Sequence, residues 1–242
     1  MVTSLPPDEA SLEELLAIAR QRFSVAFKPV RIGEQTLEIA SIANMTDYLD
    51  KLANQSRQGK NIQLPLWAKI WPASTLLALT MTQIPPARDK RVLEIGAGLG
   101  IPALIAASRG WHTTISDTHE DALLMIRINI LANNLQDKAI AMPLDITTQD
   151  TDTPFDLILG SELFGIKESS ASLIRCLQSN LAPGGMALLA RDTSRKEHDF
   201  CKQAAAFFDI GVKQVGCQDV QGEVPLQAHL YRLVPKQKVN NQ

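Results

Sequence analysis

Three glycines and one acidic residue form the pattern in this 242-residue chain that is best suited to chemistry. Gly96, Gly98 and Gly100 alternate with other residues directly after an apolar segment that contains Glu94. Glycine lets a backbone adopt a positive φ and pass close to a ligand. Because the loop follows a predicted strand and opens a predicted helix, it indicates a ligand-binding loop, with a plain turn as the alternative.

The neighbouring residues discriminate between the ligands that such a loop can bind. A dinucleotide loop places its third glycine at the position of Ile101 in this chain. The Glu94 carboxylate would repel a pyrophosphate, but it would suit a ligand that carries an ammonium and a sulfonium. We therefore predict S-adenosylmethionine, rather than a dinucleotide, as the cofactor. The predicted cofactor-binding residues of this loop are Glu94, Gly96, Ala97 and Gly98.

Two aspartates follow the next two strands of the predicted sheet. Asp117 comes about twenty residues after the loop begins, a position from which a carboxylate can bind both ribose hydroxyls. Its alternative role is to cap the helix that starts near His119. Asp145 follows the third strand, where it could accept a hydrogen bond from the adenine amino group or lie in a surface turn.

Short apolar strands alternate with amphipathic helices through the rest of the chain. Strands are predicted at 91–95, 112–116, 138–142, 155–160, 185–190, 211–216 and 227–233. Helices are predicted at 73–83, 101–109, 119–133, 168–180 and 195–208. This order predicts an α/β fold, a Rossmann-like seven-stranded, mostly parallel sheet with helices on both faces. No helix-length segment separates the last two strands, which predicts an antiparallel pair at the sheet edge.

A small helix and hairpin are predicted ahead of this sheet. Ser11 and Glu14 have the spacing of a capping box for a helix over 12–22. The segments 24–30 and 36–43 alternate around a glycine-containing turn, which predicts a β-hairpin.

The chain divides into three predicted regions. Residues 1–63 form an N-terminal cap of helix and hairpin, 64–235 form the main domain, and 236–242 form a frayed tail. Within the cap, the polar segment 54–61 predicts an exposed loop.

Bulk properties narrow the possible partners. A formal net charge of -2 gives the whole protein no cationic field for phosphates, so we do not expect nucleic acid as a partner. Cys176, Cys201 and Cys217 lack metal-site spacing, which predicts reduced thiols and no metal. No secretory signal or bilayer-length apolar stretch is visible. We therefore expect a cytoplasmic protein that does not bind membranes; the oligomeric state stays open.

These segments resemble the class I S-adenosylmethionine-dependent methyltransferases, specifically the protein-lysine methyltransferase-like family, which includes bacterial members labelled nicotinamide N-methyltransferase-like. The resemblance covers about residues 64–215 and is carried by 70–73 (IWPA), 92–100 (VLEIGAGLG), Asp117, Asn129 with Asn133, and 155–162 (FDLILGSE). It implies a cofactor pocket at the carboxyl ends of the strands, lined by Trp71, Glu94, Gly96, Gly98, Asp117 and Asp145. We also expect Ser161, at the end of the fourth strand, in this site.

Glu162 is the candidate catalytic residue. In lysine-directed members of the family, an acidic residue after the fourth strand is usually followed three residues later by tyrosine, and here those positions are Glu162 and Gly165. Methyl transfer from a sulfonium needs alignment and exclusion of water more than strong acid–base groups. Glu162 is predicted to hold an amine nucleophile and accept its proton. The alternative is a residue that only shapes the pocket.

The predicted function is an S-adenosylmethionine-dependent N-methyltransferase, with a lysine-type amine of a protein favoured as the acceptor. The alternatives are a small-molecule N-methyltransferase of nicotinamide type and a non-catalytic cofactor-binding module that acts through a protein partner. A protein substrate needs an open groove beside the pocket. A small substrate instead needs the cap and the 54–61 segment to close over it.

Overall fold

The computed structural model describes residues 9–85, 89–163, 167–194, 199–218 and 225–236. Three sequence-based features lie wholly or partly outside these residues: Gly165, the start of the predicted helix 195–208, and the tail beyond residue 236. Within the described ranges, no helix combines the length and the apolar character that crossing a bilayer requires.

The first described elements are the predicted helix and hairpin. Helix α1 (Leu12–Arg22) starts with a capping box, in which the Ser11 hydroxyl accepts from the Glu14 N–H and the Glu14 carboxylate accepts from the Ser11 N–H. Strands β1 (Val25–Ile32) and β2 (Gln35–Ile42) then pair antiparallel, as predicted.

Helix α2 (Met45–Arg57) extends into the segment that was predicted to be a loop. The Asn44 side chain caps its start by accepting from the Asp47 N–H, and the Arg57 guanidinium donates to the Asn54 side chain at its end. Local bonds at both ends thus stabilise the helix over 54–57, although these residues have modest helix propensity. The prediction of a loop was wrong for these four residues.

A seven-stranded sheet forms the centre of the main domain. Its strands are β3 (Arg91–Ile95), β4 (His112–Asp117), β5 (Ala139–Pro143), β6 (Phe155–Ser161), β7 (Leu181–Asp192), β8 (Phe208–Gln218) and β9 (Pro225–Pro235). The strands lie in the order β5-β4-β3-β6-β7-β9-β8. Neighbours from β5 to β7 are parallel, whereas β9 runs antiparallel to both β7 and β8. The predicted sheet and its antiparallel pair are confirmed.

Helices cover both faces of this sheet. They are α3 (Pro72–Gln83), α4 (Ile101–Ser108), α5 (Glu120–Ala132), α6 (Lys167–Asn180) and α7 (Phe200–Ala204). Successive residues of β6 enter opposite layers, since Leu157 and Leu159 pack in the core with α3, α4 and α5, while Ile158 packs in the core with α6 and α7. This alternation explains why the central strands appear in the sequence as continuous apolar runs.

Helix α7 is much shorter than the predicted helix over 195–208. Its described part spans only Phe200–Ala204, and Phe208 already belongs to β8, where it pairs with Pro235. Phe200, Ala204 and Phe208 have helical spacing and are all buried, but Phe208 is buried in the sheet. Strand pairing therefore overrides the local periodicity, and the prediction was wrong after Ala204.

Candidate functional site

A cleft of about 340 Å³ opens at the carboxyl ends of β3, β4 and β6. Its walls are the loops that follow these strands and the segment 63–71 before α3. The predicted site residues that line it are Trp71, Gly96, Ala97, Gly98, Asp117, Ser161 and Glu162. Glu94 and Asp145 lie outside its lining. A parallel sheet delivers its loops to this edge, which is why residues distant in sequence converge there.

The glycine loop packs directly against the segment before α3. Gly98 has a φ of +59°, and a Cβ added to it would lie 2.7 Å from the carbonyl oxygen of Trp67. That oxygen belongs to the backbone of a short 3-10 turn, Leu66–Ala68, so it cannot move independently. Any side chain at position 98 would therefore displace the loop or this wall of the cleft.

We expect Gly98→Ala to lower both the melting temperature and cofactor affinity, the latter by about tenfold or more, or about 1.4 kcal/mol. Gly184→Ala is the matched control, because Gly184 also has a positive φ of +78° but nothing within 4 Å of its added Cβ. In the control, the free energy of unfolding should decrease only by the cost of the left-handed conformation, about 1–2 kcal/mol. Calorimetry with S-adenosylhomocysteine and thermal unfolding test both variants. Normal affinity in folded Gly98→Ala would show that the loop is only a turn.

Asp117 holds two backbone segments at the cleft. Its Oδ2 accepts from the Gly98 N–H at 2.9 Å, and its Oδ1 accepts from the His119 N–H at 3.0 Å. The second bond does not make Asp117 the cap of α5, the alternative role predicted from the sequence, because His119 is the N-cap residue and its own ring accepts from the Asp121 N–H. The first bond ties the glycine loop to β4. Because each carboxylate oxygen has two lone pairs, Asp117 keeps capacity to accept from a ligand in the cleft it lines.

Glu94 lies behind the loop instead of facing the cleft. It is 1% exposed, and its Oε2 accepts from the Ala103 N–H at 2.9 Å in the first turn of α4. Burial, together with a smaller contribution from the nearby Asp117 carboxylate, raises the pKa of Glu94 to about 8, although the bond from the Ala103 N–H opposes the rise. The carboxyl group is therefore mostly neutral at pH 7 and does not supply the negative charge expected for a sulfonium. It instead joins β3 to the start of α4.

Strand alternation explains this placement of Glu94. Side chains two residues apart share a face of the sheet, and Val92 packs in the layer of α3, α4 and α5. Glu94 points to the same layer and meets the N–H groups at the start of α4. The strand-end position was correctly predicted, but not the direction of the side chain.

Asp145 lies in a turn after β5. Its Oδ1 accepts from the backbone N–H of Thr147 at 2.8 Å and from the Thr147 hydroxyl at 2.6 Å, and these bonds lower the pKa of Asp145. Its own N–H donates to the Gln149 side chain. This geometry matches the surface-turn alternative and does not bring Asp145 to the cleft.

Glu162 is held in an uncommon conformation at the end of β6. Its φ is +59°, a region that non-glycine residues adopt at a cost and that often marks functional sites. Its N–H donates to the Ala190 carbonyl at 2.9 Å, and its Oε1 accepts from the Asp192 N–H at 2.7 Å. Both bonds join Glu162 to β7, so the carboxylate occupies a fixed place in the cleft lining.

Aromatic residues also line the cleft. The Trp71 indole donates to the Leu66 carbonyl at 3.0 Å, and the Lys69 ammonium lies 4.5 Å from the centre of its ring. Trp67 and His119 also line the cleft, with ring centres 5.4 Å apart. Neither residue was among the predicted cofactor-binding residues. His119 follows the strand-end residue Asp117 by two positions, and this spacing was the signal in the sequence that could have placed it at the cleft.

This arrangement fits S-adenosylmethionine. The glycines leave space that a Cβ would fill, Asp117 offers acceptors suited to hydroxyl groups, and the tryptophans offer apolar surface. The cleft volume lies at the lower end of the range for small-molecule sites. The described residues contain no cluster of three potential metal ligands.

Comparison with known families assigns the chain. A family model described as lysine methyltransferase matches residues 50–207, more than half of the sequence. This chain belongs to the lysine methyltransferase family. Together with the fold, that assignment confirms the predicted methyltransferase activity and S-adenosylmethionine as the cofactor.

Individual relatives agree with this assignment. The chain is 28% identical over 190 residues to protein N-lysine methyltransferase METTL21A of Danio rerio, covering 74% of this chain and 82% of the relative. It is 30% identical over 140 residues to EEF1A lysine methyltransferase 3 of Mus musculus, covering 56% and 60%. A solved SAM-dependent methyltransferase from Agrobacterium tumefaciens shares the fold with a TM-score of 0.62 and 14% identity, covering 87% of this chain and 70% of that one.

Proposed function

We propose that this enzyme methylates a lysine-type amine on a protein substrate. The observation that carries the proposal is an apolar rim at the mouth of the cofactor cleft, formed by Leu64, Leu66 and Ile70. These side chains are 64%, 59% and 37% exposed, and all three line the cleft. Large apolar side chains gathered at one exposed site are typical of surfaces that bind a partner.

The position of the N-terminal cap also favours a protein acceptor. A small acceptor would need the cap and the segment 54–61 to close over the cleft. Among the described residues the lining begins only at Gln63, and 54–57 are instead part of α2. Of the described cap residues only Gln63 lines the cleft, which favours an acceptor side chain presented on a larger molecule. The relatives named above, which are lysine methyltransferases of proteins, support the same acceptor class.

Each wall of the cleft has a separate role in this reaction. The bound cofactor supplies an electrophilic methyl group on a sulfonium. The glycine loop and Asp117 bind the cofactor, and Trp71 provides an apolar contact. The Glu162 carboxylate, fixed by the Asp192 N–H, holds the incoming ammonium and takes its proton so that the neutral amine can attack. The apolar rim excludes water around the aligned groups.

A labelling experiment tests the acceptor class. The protein is incubated with methyl-tritiated S-adenosylmethionine and cell extract, and the extract is separated into proteins and small molecules. We expect the label in the protein fraction, released by acid hydrolysis as methylated lysine. Label found only in small molecules would overturn the proposal, as would methylated arginine as the sole product.

We expect Leu66→Asp to reduce labelling of protein about tenfold or more, because burying a leucine contributes about 1.5–3 kcal/mol. Cofactor affinity should remain within twofold of the parent. Ile140→Asp is the matched control, since Ile140 is also 59% exposed but lies on edge strand β5, away from the cleft. The control should label protein at the parent rate. Equal labelling by both variants would show that the rim does not bind the substrate.

A further inference from the structure

The side chain of Asn129 joins the N-terminal hairpin to the glycine loop. Asn129 lies on α5 and is fully buried. Its Oδ1 accepts from the Ala40 N–H in β2 at 2.7 Å, and its Nδ2 donates to the Leu99 carbonyl at 3.1 Å. We propose that Asn129 is a positioning residue through which the docked hairpin holds the glycine loop in the shape that binds the cofactor. This proposal does not depend on the identity of the methyl acceptor.

The bond to Leu99 stabilises the loop at its least regular point. Leu99 lies between Gly98 and Gly100, which both have left-handed conformations, with φ of +59° and +78°. In a regular helix the Leu99 carbonyl would accept from the N–H of Ala103, but that N–H donates to Glu94. The Asn129 amide thus donates to a carbonyl that lacks the usual helical N–H donor.

The two bonds of Asn129 can form in only one orientation of its carboxamide. An amide has one acceptor oxygen and one donor nitrogen, and here the oxygen faces a donor while the nitrogen faces an acceptor. If the hairpin undocks, the oxygen loses its partner and the orientation of the group is no longer fixed. The hairpin therefore contacts the loop through this buried side chain, although none of its residues lines the cleft.

Asn133, one helical turn later, provides a natural comparison. Its Oδ1 accepts from the Glu38 N–H at 2.9 Å, and its Nδ2 donates to the Glu38 carbonyl at 2.9 Å and to the Asn129 carbonyl at 2.8 Å. Asn133 thus binds the same strand of the hairpin as Asn129, but the bonds it makes do not reach the glycine loop. The two asparagines share chemistry and partner strand; they differ in burial, since Asn133 is partly exposed, and in the connection to the cofactor site.

The decisive experiment compares Asn129→Ala with Asn133→Ala. We expect both variants to melt at lower temperature, because each loses bonds between α5 and the hairpin. Only Asn129→Ala should weaken S-adenosylhomocysteine binding in calorimetry, by about tenfold or more, with Asn133→Ala within twofold of the parent. Amide exchange at residues 98–101 should accelerate in Asn129→Ala alone. Equal affinities in the two variants would overturn the proposal and leave Asn129 a purely structural residue.

Asn129→Asp tests the same proposal if the alanine variant does not fold. The aspartate keeps an acceptor for Ala40, but when ionised it places a second oxygen against the Leu99 carbonyl. Protonation restores a donor, and burial raises the pKa of a carboxyl group toward the accessible range. We therefore expect the S-adenosylhomocysteine dissociation constant of Asn129→Asp, divided by that of the parent, to decrease as the pH is lowered from 8 to 5.5. A ratio that does not change with pH would contradict the proposal.

Discussion

Glu162→Gln should slow methyl transfer by about 10²-fold or more while leaving cofactor affinity within twofold of the parent. Glutamine still offers an oxygen to the Asp192 N–H, so the turn after β6 is preserved. It cannot take a proton from an ammonium, and a positioned acid–base group contributes rate on this scale. The defect should persist at saturating substrate, because it lies in the transition state. Single-turnover rates with the labelled acceptor and calorimetry with S-adenosylhomocysteine measure the two quantities.

Glu162→Gly separates the carboxylate from the shape of the turn. Glycine adopts a φ of +59° without strain, but it removes the side chain bonded to Asp192. If the carboxylate acts on the substrate, both variants should be slow to a similar degree. If Glu162 only shapes the pocket, the glutamine variant should turn over at the parent rate and only the glycine variant should be impaired. That second result would remove the catalytic role.

The elements of the main domain were predictable because their patterns are local. Strand and helix order follows from apolar runs and helical periodicity, and the glycine loop follows from its place between β3 and α4. The predicted extent of the last helix was wrong for a non-local reason, because Phe208 pairs with Pro235 in the neighbouring strand. The prediction of a loop at the end of α2 was wrong because a hydrophobic pattern does not reveal the arginine–asparagine bond in the last turn of that helix.

Site residues were predictable by position, but side-chain direction was not. The ends of β4 and β6 place Asp117 and Glu162 at the cleft, as strand order requires. Glu94 has an equivalent strand-end position, yet its side chain faces α4 and its carboxyl group is mostly neutral at pH 7. The direction depends on which layer covers each face, which the sequence of β3 alone does not contain. The two hydrogen bonds of Asn129 could not be predicted from the sequence either, because their partners, Ala40 and Leu99, lie 89 and 30 residues away.

Asp117→Ala should weaken cofactor binding at least tenfold and also lower the melting temperature. Bonds from hydroxyl groups to a carboxylate contribute about 1.5–3 kcal/mol each, which accounts for the affinity. The stability loss follows because the N–H groups of Gly98 and His119 lose their acceptor. Asp145→Ala is the control, since Asp145 makes similar turn bonds but lies outside the cleft. Its affinity should stay within twofold, and a tenfold loss would instead support the predicted adenine contact.

A cofactor analogue separates ribose binding by Asp117 from its support of the glycine loop. S-adenosylhomocysteine and its 2′-deoxy form are each titrated into the parent protein and into Asp117→Ala. If the carboxylate binds the ribose, the parent should prefer the hydroxylated ligand by about tenfold, and the variant should bind the two ligands almost equally. If Asp117 only holds Gly98 and His119, the preference should be the same in both proteins, because the lost bonds do not involve the ligand. The difference between the ligand preference of the parent and that of Asp117→Ala measures the interaction of the Asp117 carboxylate with the 2′-hydroxyl. The change in loop stability does not contribute, because it is common to both ligands.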